Sequence, residues 1–239
     1  MIKKGQGIAI NAGIGLFYYP IIKSIRELDE VKKGKFLLNY MNEMLAINFG
    51  QTIDYEMNHS NRIIFISNYI DTVLCKTGVF PRLMVKLIYD ICIQNTSYLE
   101  TRSSMLKIMD LLSIAFQIED DLLNITENEL SKNKGFLGED IFEGKLTMMV
   151  IKALENLNKV HADRLREILL MKTKESSLLK EAIELIKSGG GFEYAIKYKE
   201  KCVKEATDLC LELPCDNKNS RESIFEIIEL IKYLIKRKV

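Results

Sequence analysis

The sequence predicts an all-α protein, a single-domain helical bundle spanning residues 1–239. Three observations carry that expectation. Only three prolines interrupt the chain, so long helices are permitted almost everywhere. Apolar residues recur at helical spacing in long Ile-, Leu-, Lys- and Glu-rich segments, as with Met105, Met109, Leu112 and Phe116. There is no linker, low-complexity tract or repeat of 20–50 residues, so one domain holds the whole chain.

Composition narrows the function classes. Thirty-four basic and 33 acidic side chains leave a net charge of +1, which gives no field to attract nucleic acid or an anionic membrane. A hydrophobic share of 47% against 28% charged is that of a soluble globular protein with a substantial core. The cysteines at 75, 92, 202, 210 and 215 form no CxxC and leave one over, which reads as reduced thiols in a cytoplasmic compartment. With His59 and His161 the only histidines, a zinc cluster is excluded.

In chain order, Lys3 and Lys4 precede the uncharged stretch Gly5–Ile22. Gln6, Asn11, Pro20 and four glycines within it argue against a membrane span or a leader. A buried helix is predicted instead, its small residues letting neighbouring helices approach. Lys35–His59 reads as the next helix, from the spacing of Leu38, Met41, Leu45 and Asn48. Ile63–Cys75 leads into a break at Lys76-Thr77-Gly78, and Pro81 kinks or restarts a helix running to Ile93. Ser97 and Glu100 have capping-box spacing at the head of the helix that carries the Met stripe, expected to be core. Asn124–Gly144 reads as a polar loop. Beyond Lys145 four more helices are expected, among them Leu146–Asn158, His161–Met171 and Ser177–Lys187, a break at Gly189–Gly191, and last Ser220–Lys238. That last helix presents Ile224, Ile227, Ile228, Ile231 and Leu234 on one face.

The chemistry concentrates in Phe116–Lys145. The stripe ending at Phe116 runs on into Gln117, Asp120, Asp121 and Asn124 instead of a polar cap. Acids on the inward side of a helix are costly unless a cation meets them. They also lie late in the helix, where the dipole disfavours carboxylates. Both penalties at one place point to an ion site.

Phe116-Gln117-Ile118-Glu119-Asp120-Asp121-Leu122-Leu123-Asn124, followed by Lys134-Gly135 and Gly138–Lys145, resembles the second aspartate-rich region of the trans-prenyl diphosphate synthases. Those enzymes make farnesyl, geranylgeranyl and longer isoprenoid diphosphates. Asn124 in the last position is similar to the eukaryotic geranylgeranyl type. Gly50-Gln51-Thr52-Ile53-Asp54 resembles the family's GQxxD, Lys76-Thr77 its KT pair, and Gly189–Tyr194 its GSFEY-like helix start. Gly7–Gly13 resembles the helix that follows the family's first aspartate-rich motif.

The resemblance implies a bundle of the isoprenoid synthase type and a Mg²⁺-dependent transfer of an allylic prenyl diphosphate onto isopentenyl diphosphate. It implies that Asp120 and Asp121, with Asn124, hold the metal. Lys76 binds the allylic diphosphate, the backbone near Thr77 faces the growing cation, and Asp54 supports the metal–diphosphate assembly. Gln51 and Gln117 lie beside substrate, and Lys134 and Lys145 contact diphosphate oxygens. An isoprenoid tail would lie in a cavity bounded by Phe80, Phe116 and the Gly7–Phe17 helix. The family's first DDxxD and the residues that hold isopentenyl diphosphate precede the Gly7–Gly13 helix. The resemblance therefore implies an N-terminally truncated bundle, a homodimer or a heterodimer with a full-length synthase. Either it is the major part of a synthase, or a non-catalytic regulatory subunit of one. A class I terpene cyclase is disfavoured, because the N-D-x-x-S-x-x-x-E pattern is absent.

Overall fold

Helices account for every regular element among the described residues of the computed structural model, which are 2–59, 63–92, 99–126, 138–214 and 218–235. They are α1 (Ile2–Glu27), α2 (Glu30–His59), α3 (Ile66–Lys76), α4 (Val79–Leu87), which passes into a π-helical turn (Ile88–Cys92), and α5 (Leu99–Ile125). After them come α6 (Glu139–Glu143), α7 (Met148–Asn156), α8 (Lys159–Met171), α9 (Ser176–Ser188), α10 (Gly191–Leu211) and α11 (Lys218–Ile235). The all-α expectation is met. Ser97, Lys134 and Lys236–Lys238 lie outside the described residues.

α5 is the axis. It packs along α10 and is flanked by α3, α4 and α11. Its buried apolar residues are Ile108, Ile114, Ala115, Ile118, Leu122 and Ile125. Met105, Met109 and Leu112, the stripe expected to mark the core, are only partly buried and flank it. A helix enclosed on several sides is apolar over most of its circumference, so one regular spacing does not single out the deepest face. Met148, Met149, Leu165, Ile168 and Ile186 close the core from α7, α8 and α9. Burying each such side chain stabilises the fold by about 1.5–3 kcal/mol.

Local chemistry explains the boundaries. Asn68 Oδ1 accepts from the Phe65 backbone N–H at 3.0 Å and closes the first turn of α3. Pro81 lies in the first turn of α4, where no intrahelical donor is required. Thr147 and Asn158 cap α7 and α8 through their side-chain oxygens. Gly138 and Gly144, with φ of 85° and 72°, bracket the short α6. Asn124–Gly144 is therefore not a single loop: Asn124 still belongs to α5, and 139–143 is helical. Among the described residues five helices follow α6 rather than four, one of them the 21 residues of α10 that begin at the GSFEY-like stretch. On α11, Ile224 and Ile228 are buried as expected.

The expected burial of the N-terminal helix is not found. α1 meets α2 through Phe17, Ile21 and Ile25, beside a satellite cluster of Phe36, Tyr40, Met44, Val79 and Leu83. Tyr40 OH donates to Phe17 O at 2.7 Å. The rest stands out: Ile8 is 71% exposed and Leu16 72%. A Cβ added at Gly5, Gly7, Gly13 or Gly15 would meet nothing within 4 Å, so the small residues serve no close helix contact among the described residues. By length and composition Gly5–Glu27 could cross a membrane, with a mean hydropathy of 1.3 and no buried share. Such a helix near an N-terminus is weak evidence for a span.

Close contacts do occur deeper in the chain. A Cβ at Gly191 would strike Met149 O, and one at Gly189 would sit 2.8 Å from Ala153 Cα. Replacing Gly191 by alanine is expected to cost about 1–3 kcal/mol through forced separation of α7 and α10. A urea unfolding midpoint unchanged in Gly191→Ala would show that the two helices part freely.

Candidate active site

α3 crosses α2 at Gly50, where an added Cβ would lie 2.7 Å from Cys75 O. That close approach puts the side chain one turn further along α2 within reach of the end of α3. Asp54 Oδ2 accepts from Lys76 Nζ at 2.7 Å. The pair is about one-third exposed, so its own contribution to stability is small.

Arg82 fixes the corner that follows. Its guanidinium donates to Leu74 O at 2.8 Å and to Asp110 Oδ1 at 2.9 Å. Glu43, buried beneath, accepts from Lys86 at 2.6 Å and faces Arg82 at 3.4 Å. The Lys76-Thr77-Gly78 break is thus clamped to α2, α4 and α5 by charge-assisted bonds.

From Thr77 a chain of donors leads to Asp121. Thr77 Oγ1 donates to Gln117 Oε1 at 2.9 Å, and Gln117 Nε2 donates to Asp121 Oδ1 at 2.9 Å. Tyr69 OH donates to the other oxygen, Oδ2, at 2.7 Å. Tyr69 stands seven residues before Lys76, two turns along the same face of α3, about 10 Å of helical rise. Burial, and then the Asp121 charge, hold the Tyr69 phenol well above its usual range, so it stays a donor.

α6 supplies a second acid. Asp140 accepts from Lys145 Nζ at 2.6 Å, and Lys145 also pairs with Glu143 at 2.9 Å. Burial raises Asp140 even against Lys145, because Asp140 is the more enclosed partner. Burial also opposes the Lys145 charge, yet bonds to Asp140 and Glu143 hold it above the ordinary lysine range. Asn124 Oδ1 accepts from Asp140 N at 3.0 Å, tying α6 to the end of α5. Asn58 closes the circuit: its Nδ2 donates to Asp54 at 3.2 Å and its Oδ1 accepts from Leu146 N at 2.8 Å.

Three bonded groups, Lys76–Asp54–Asn58, Thr77–Gln117–Asp121 and Asn124–Asp140–Lys145, are therefore brought into one polar ring from four parts of the chain, closed by the α3 and α5 backbone and by the charges of Asp140 and Lys145 acting on Asp121. Asp120 lies half-buried beside Asp121. Gln51 is exposed on α2 and joins none of these bonds. Phe80 is 62% exposed and α1 stands apart, so neither encloses an apolar cavity here. Glu119 turns the other way, to Lys199 of α10 at 2.6 Å. Sequence reasoning missed Tyr69, Asn58 and Asp140 as site residues. Their signals were the seven-residue spacing from Lys76, the four-residue spacing from Asp54, and a place inside the Gly138–Lys145 stretch of the aspartate-rich region.

The donor chemistry suits a hard cation. Two buried acids lie close enough for Asp140 to raise Asp121 further. Among the described residues no three His, Cys, Asp or Glu side chains converge on one point. A cation would thus rest on one or two carboxylates and complete its shell with substrate oxygens and water, as magnesium does.

The sequence model of the Polyprenyl synthetase family matches residues 2–186. The chain belongs to the polyprenyl synthetase family. A geranylgeranyl pyrophosphate synthase of Penicillium shearii is 32% identical over 214 residues, 89% of this chain and 53% of its own length. One of Dictyostelium discoideum is 31% identical over 196 residues, 80% of this chain and 60% of its own. The chain spans about 53–60% of the length of these curated relatives. A crystal structure of geranylgeranyl pyrophosphate synthase from Corynebacterium glutamicum, complexed with isoprenyl diphosphate and magnesium, gives a TM-score of 0.73 at 18% identity, covering 88% of this chain and 57% of that one. At that identity the likeness establishes the fold, that of the polyprenyl synthetases.

Burial pushes the Asp121 carboxyl from 3.8 up to about 7, with the Gln117 and Tyr69 bonds pulling the other way. The native state thus keeps a proton that the unfolded chain releases. Stability from this acid is full below 3.8 and lost as pH rises through about 7. Asp121→Asn is therefore expected to raise the melting temperature by a few degrees at pH 8, with the gain shrinking toward pH 5. An equal gain at both pH values would assign the effect to packing instead of ionisation.

Proposed function

We propose that the chain binds a prenyl diphosphate through magnesium and takes part in condensing an allylic prenyl diphosphate with isopentenyl diphosphate. The observation that carries this reading is the ring joining Asp121, Asp140 and Lys145 to Lys76 and Asp54. The relatives named geranylgeranyl pyrophosphate synthases support it.

In that reaction the allylic C–O bond breaks, pyrophosphate leaves, and the double bond of isopentenyl diphosphate attacks the carbocation. Loss of a proton then restores an alkene. The demanding event is the departure of pyrophosphate, whose charge must be met as it forms. When bound, magnesium supplies Lewis-acid neutralisation of that charge. Asp120 and Asp121 are the residues that would hold it, with the Asn124 oxygen at the edge of the site. Tyr69 and Gln117 orient Asp121 by saturating one lone pair on each of its oxygens, leaving the others free to ligate. Lys76 and Lys145 meet diphosphate oxygens as point charges, with Lys134 assigned the same task. Asp54 holds Lys76 extended until a diphosphate shares it.

A second reading is a non-catalytic subunit that modulates a complete synthase. It is favoured by the exposed apolar side chains of α1 and α2, among them Ile8, Leu16, Leu38 and Phe49. Both readings place a dimer, with itself or with a full-length synthase, in a reducing cytoplasm. Cys75, Cys202 and Cys210 as free thiols agree with that compartment.

Calorimetry with pyrophosphate in magnesium buffer is expected to show binding by the wild type and loss of at least tenfold in Asp120→Ala and in Lys76→Ala. Binding unaltered in both variants would remove these residues from the site. Slow or absent condensation of farnesyl and isopentenyl diphosphates by the chain alone, rescued by a full-length synthase, would favour the second reading.

A further inference from the structure

Beside Asn58, and outside the polar ring, a cavity of about 470 Å³ opens between the end of α2, the segment before α3, and helices α7 and α8. Its wall is apolar: Met57, Ile64, Leu146, Ile151, Leu154 and Leu169. The size is that of a small-molecule site. Four polar side chains reach it, namely Asn58, Glu155, Arg166 and Lys172.

Their existing bonds decide which can receive a ligand. Asn58 is committed at both ends of its carboxamide, to Asp54 and to Leu146 N. Glu155 is paired with Lys152 at 2.9 Å and Arg166 with Asp163 at 3.1 Å. Lys172 differs. Among the described residues its one polar partner is His59 Nε2, at 3.1 Å. His59 Nδ1 lies 2.8 Å from Tyr55 O, a carbonyl that can only accept, so Nδ1 carries the proton and Nε2 accepts from the ammonium. Among the described residues Lys172 has no carboxylate partner, and its positive charge sits at the rim of an apolar cavity.

The backbone holds that charge in place. Lys172 adopts φ 46°, a left-handed conformation uncommon for a non-glycine residue, at the end of α8. Its stem passes over Gly144, where an added Cβ would come within 3.7 Å of Lys172 Cε.

We propose that this cavity is a second ligand site, for an amphiphile with one apolar chain and one acidic head. The chain lies against Ile64, Leu146, Leu154 and Leu169, and the head pairs with Lys172. Such a ligand gains burial for its tail and a charge-assisted bond for its head, which neither a bare anion nor a neutral chain obtains. The cavity adjoins the polar ring through Asn58 and Leu146 but lies on their other side, and the proposal does not depend on the reaction assigned to the ring.

The test is calorimetry on the intact chain with laurate and with dodecyl phosphate, both kept below micelle formation, and with dodecanol as a headless control. One molecule of an acidic amphiphile is expected to bind per chain, and the tighter of the two identifies a carboxylate or a phosphate head. Dodecanol is expected to bind at least tenfold more weakly. Lys172→Glu should lose about tenfold or more, Lys172→Arg should retain binding, and Ile64→Trp, which fills the cavity, should abolish it. Circular dichroism melts establish that each variant is folded, and Lys172, being exposed, gives a variant that tests the charge without touching the core. Absence of binding by the folded wild type overturns the proposal. So does binding unchanged in Lys172→Glu, or dodecanol binding as tightly as laurate. Loss of amphiphile binding in Lys76→Ala would move the ligand into the polar ring and overturn the second site, while leaving the diphosphate reading intact.

Discussion

A carboxylate enclosed near the C-terminal end of a long helix is the constraint that the surrounding structure answers. Asp121 faces two unfavourable influences, loss of water and the negative end of the α5 dipole. Three side chains from α3 and α5 are spent on it: Tyr69 and Gln117 donate directly, and Thr77 orients the Gln117 amide. Those bonds fix its geometry but do not restore an ordinary acidity, since the carboxyl still sits near 7. A protein selected for stability alone would place a neutral group there. Keeping an acid there fits the proposed function, in which a cation would complete the electrostatics.

Placing that acid opposite Lys76 needs the corner between α3 and α4 to be rigid. Lys76, Thr77 and Gly78 occupy a helix break, which by itself would be the softest part of the wall. Gly50 lets α2 come against it, and Arg82 captures the carbonyl of Leu74 left at the end of α3. Glu43, fully enclosed, is tolerable only because both Arg82 and Lys86 reach it. The ion network therefore lies outside the polar ring and acts on it through the backbone, holding Lys76 and Thr77 at fixed separation from Gln117.

How much of this was legible in the sequence depends on the kind of signal. Helix identities followed from spacing, the acids after Phe116 stood out because charges there are hard to reconcile with packing, and Lys76-Thr77 and the GQxxD stretch stood out only by their resemblance to family motifs. The ring's connecting members were not visible in that way. Tyr69 and Asn58 are ordinary residues on helix faces until a partner from another element arrives, and that partner is 52 residues away for Tyr69 and 88 for Asn58. Asp140 fell inside a stretch read as a polar loop, but Gly138 and Gly144, with positive φ angles, bracket a short helix that buries it, tied to the end of α5 through Asn124. Exposure of α1 was the reverse error. Apolar content argues for burial only when a neighbour exists to provide it, and composition does not say which neighbour.

The cationic groups of the ring are engaged differently, and that difference bears on how a diphosphate would enter. Lys145 is held by two carboxylates, one of them buried, and stays with them. Lys76 is held by a single, partly exposed Asp54. An incoming anion competes for Lys76 against one partly exposed carboxylate, whereas at Lys145 it must displace two, one of them buried. A diphosphate would therefore take Lys76 first and approach Lys145 only once a cation had drawn off the charge of Asp140 and Asp121. On the proposed reading the order follows from the number of acids at each lysine: Lys76 would make the first contact, and Lys145 would become available once Asp121 and Asp140 held a cation.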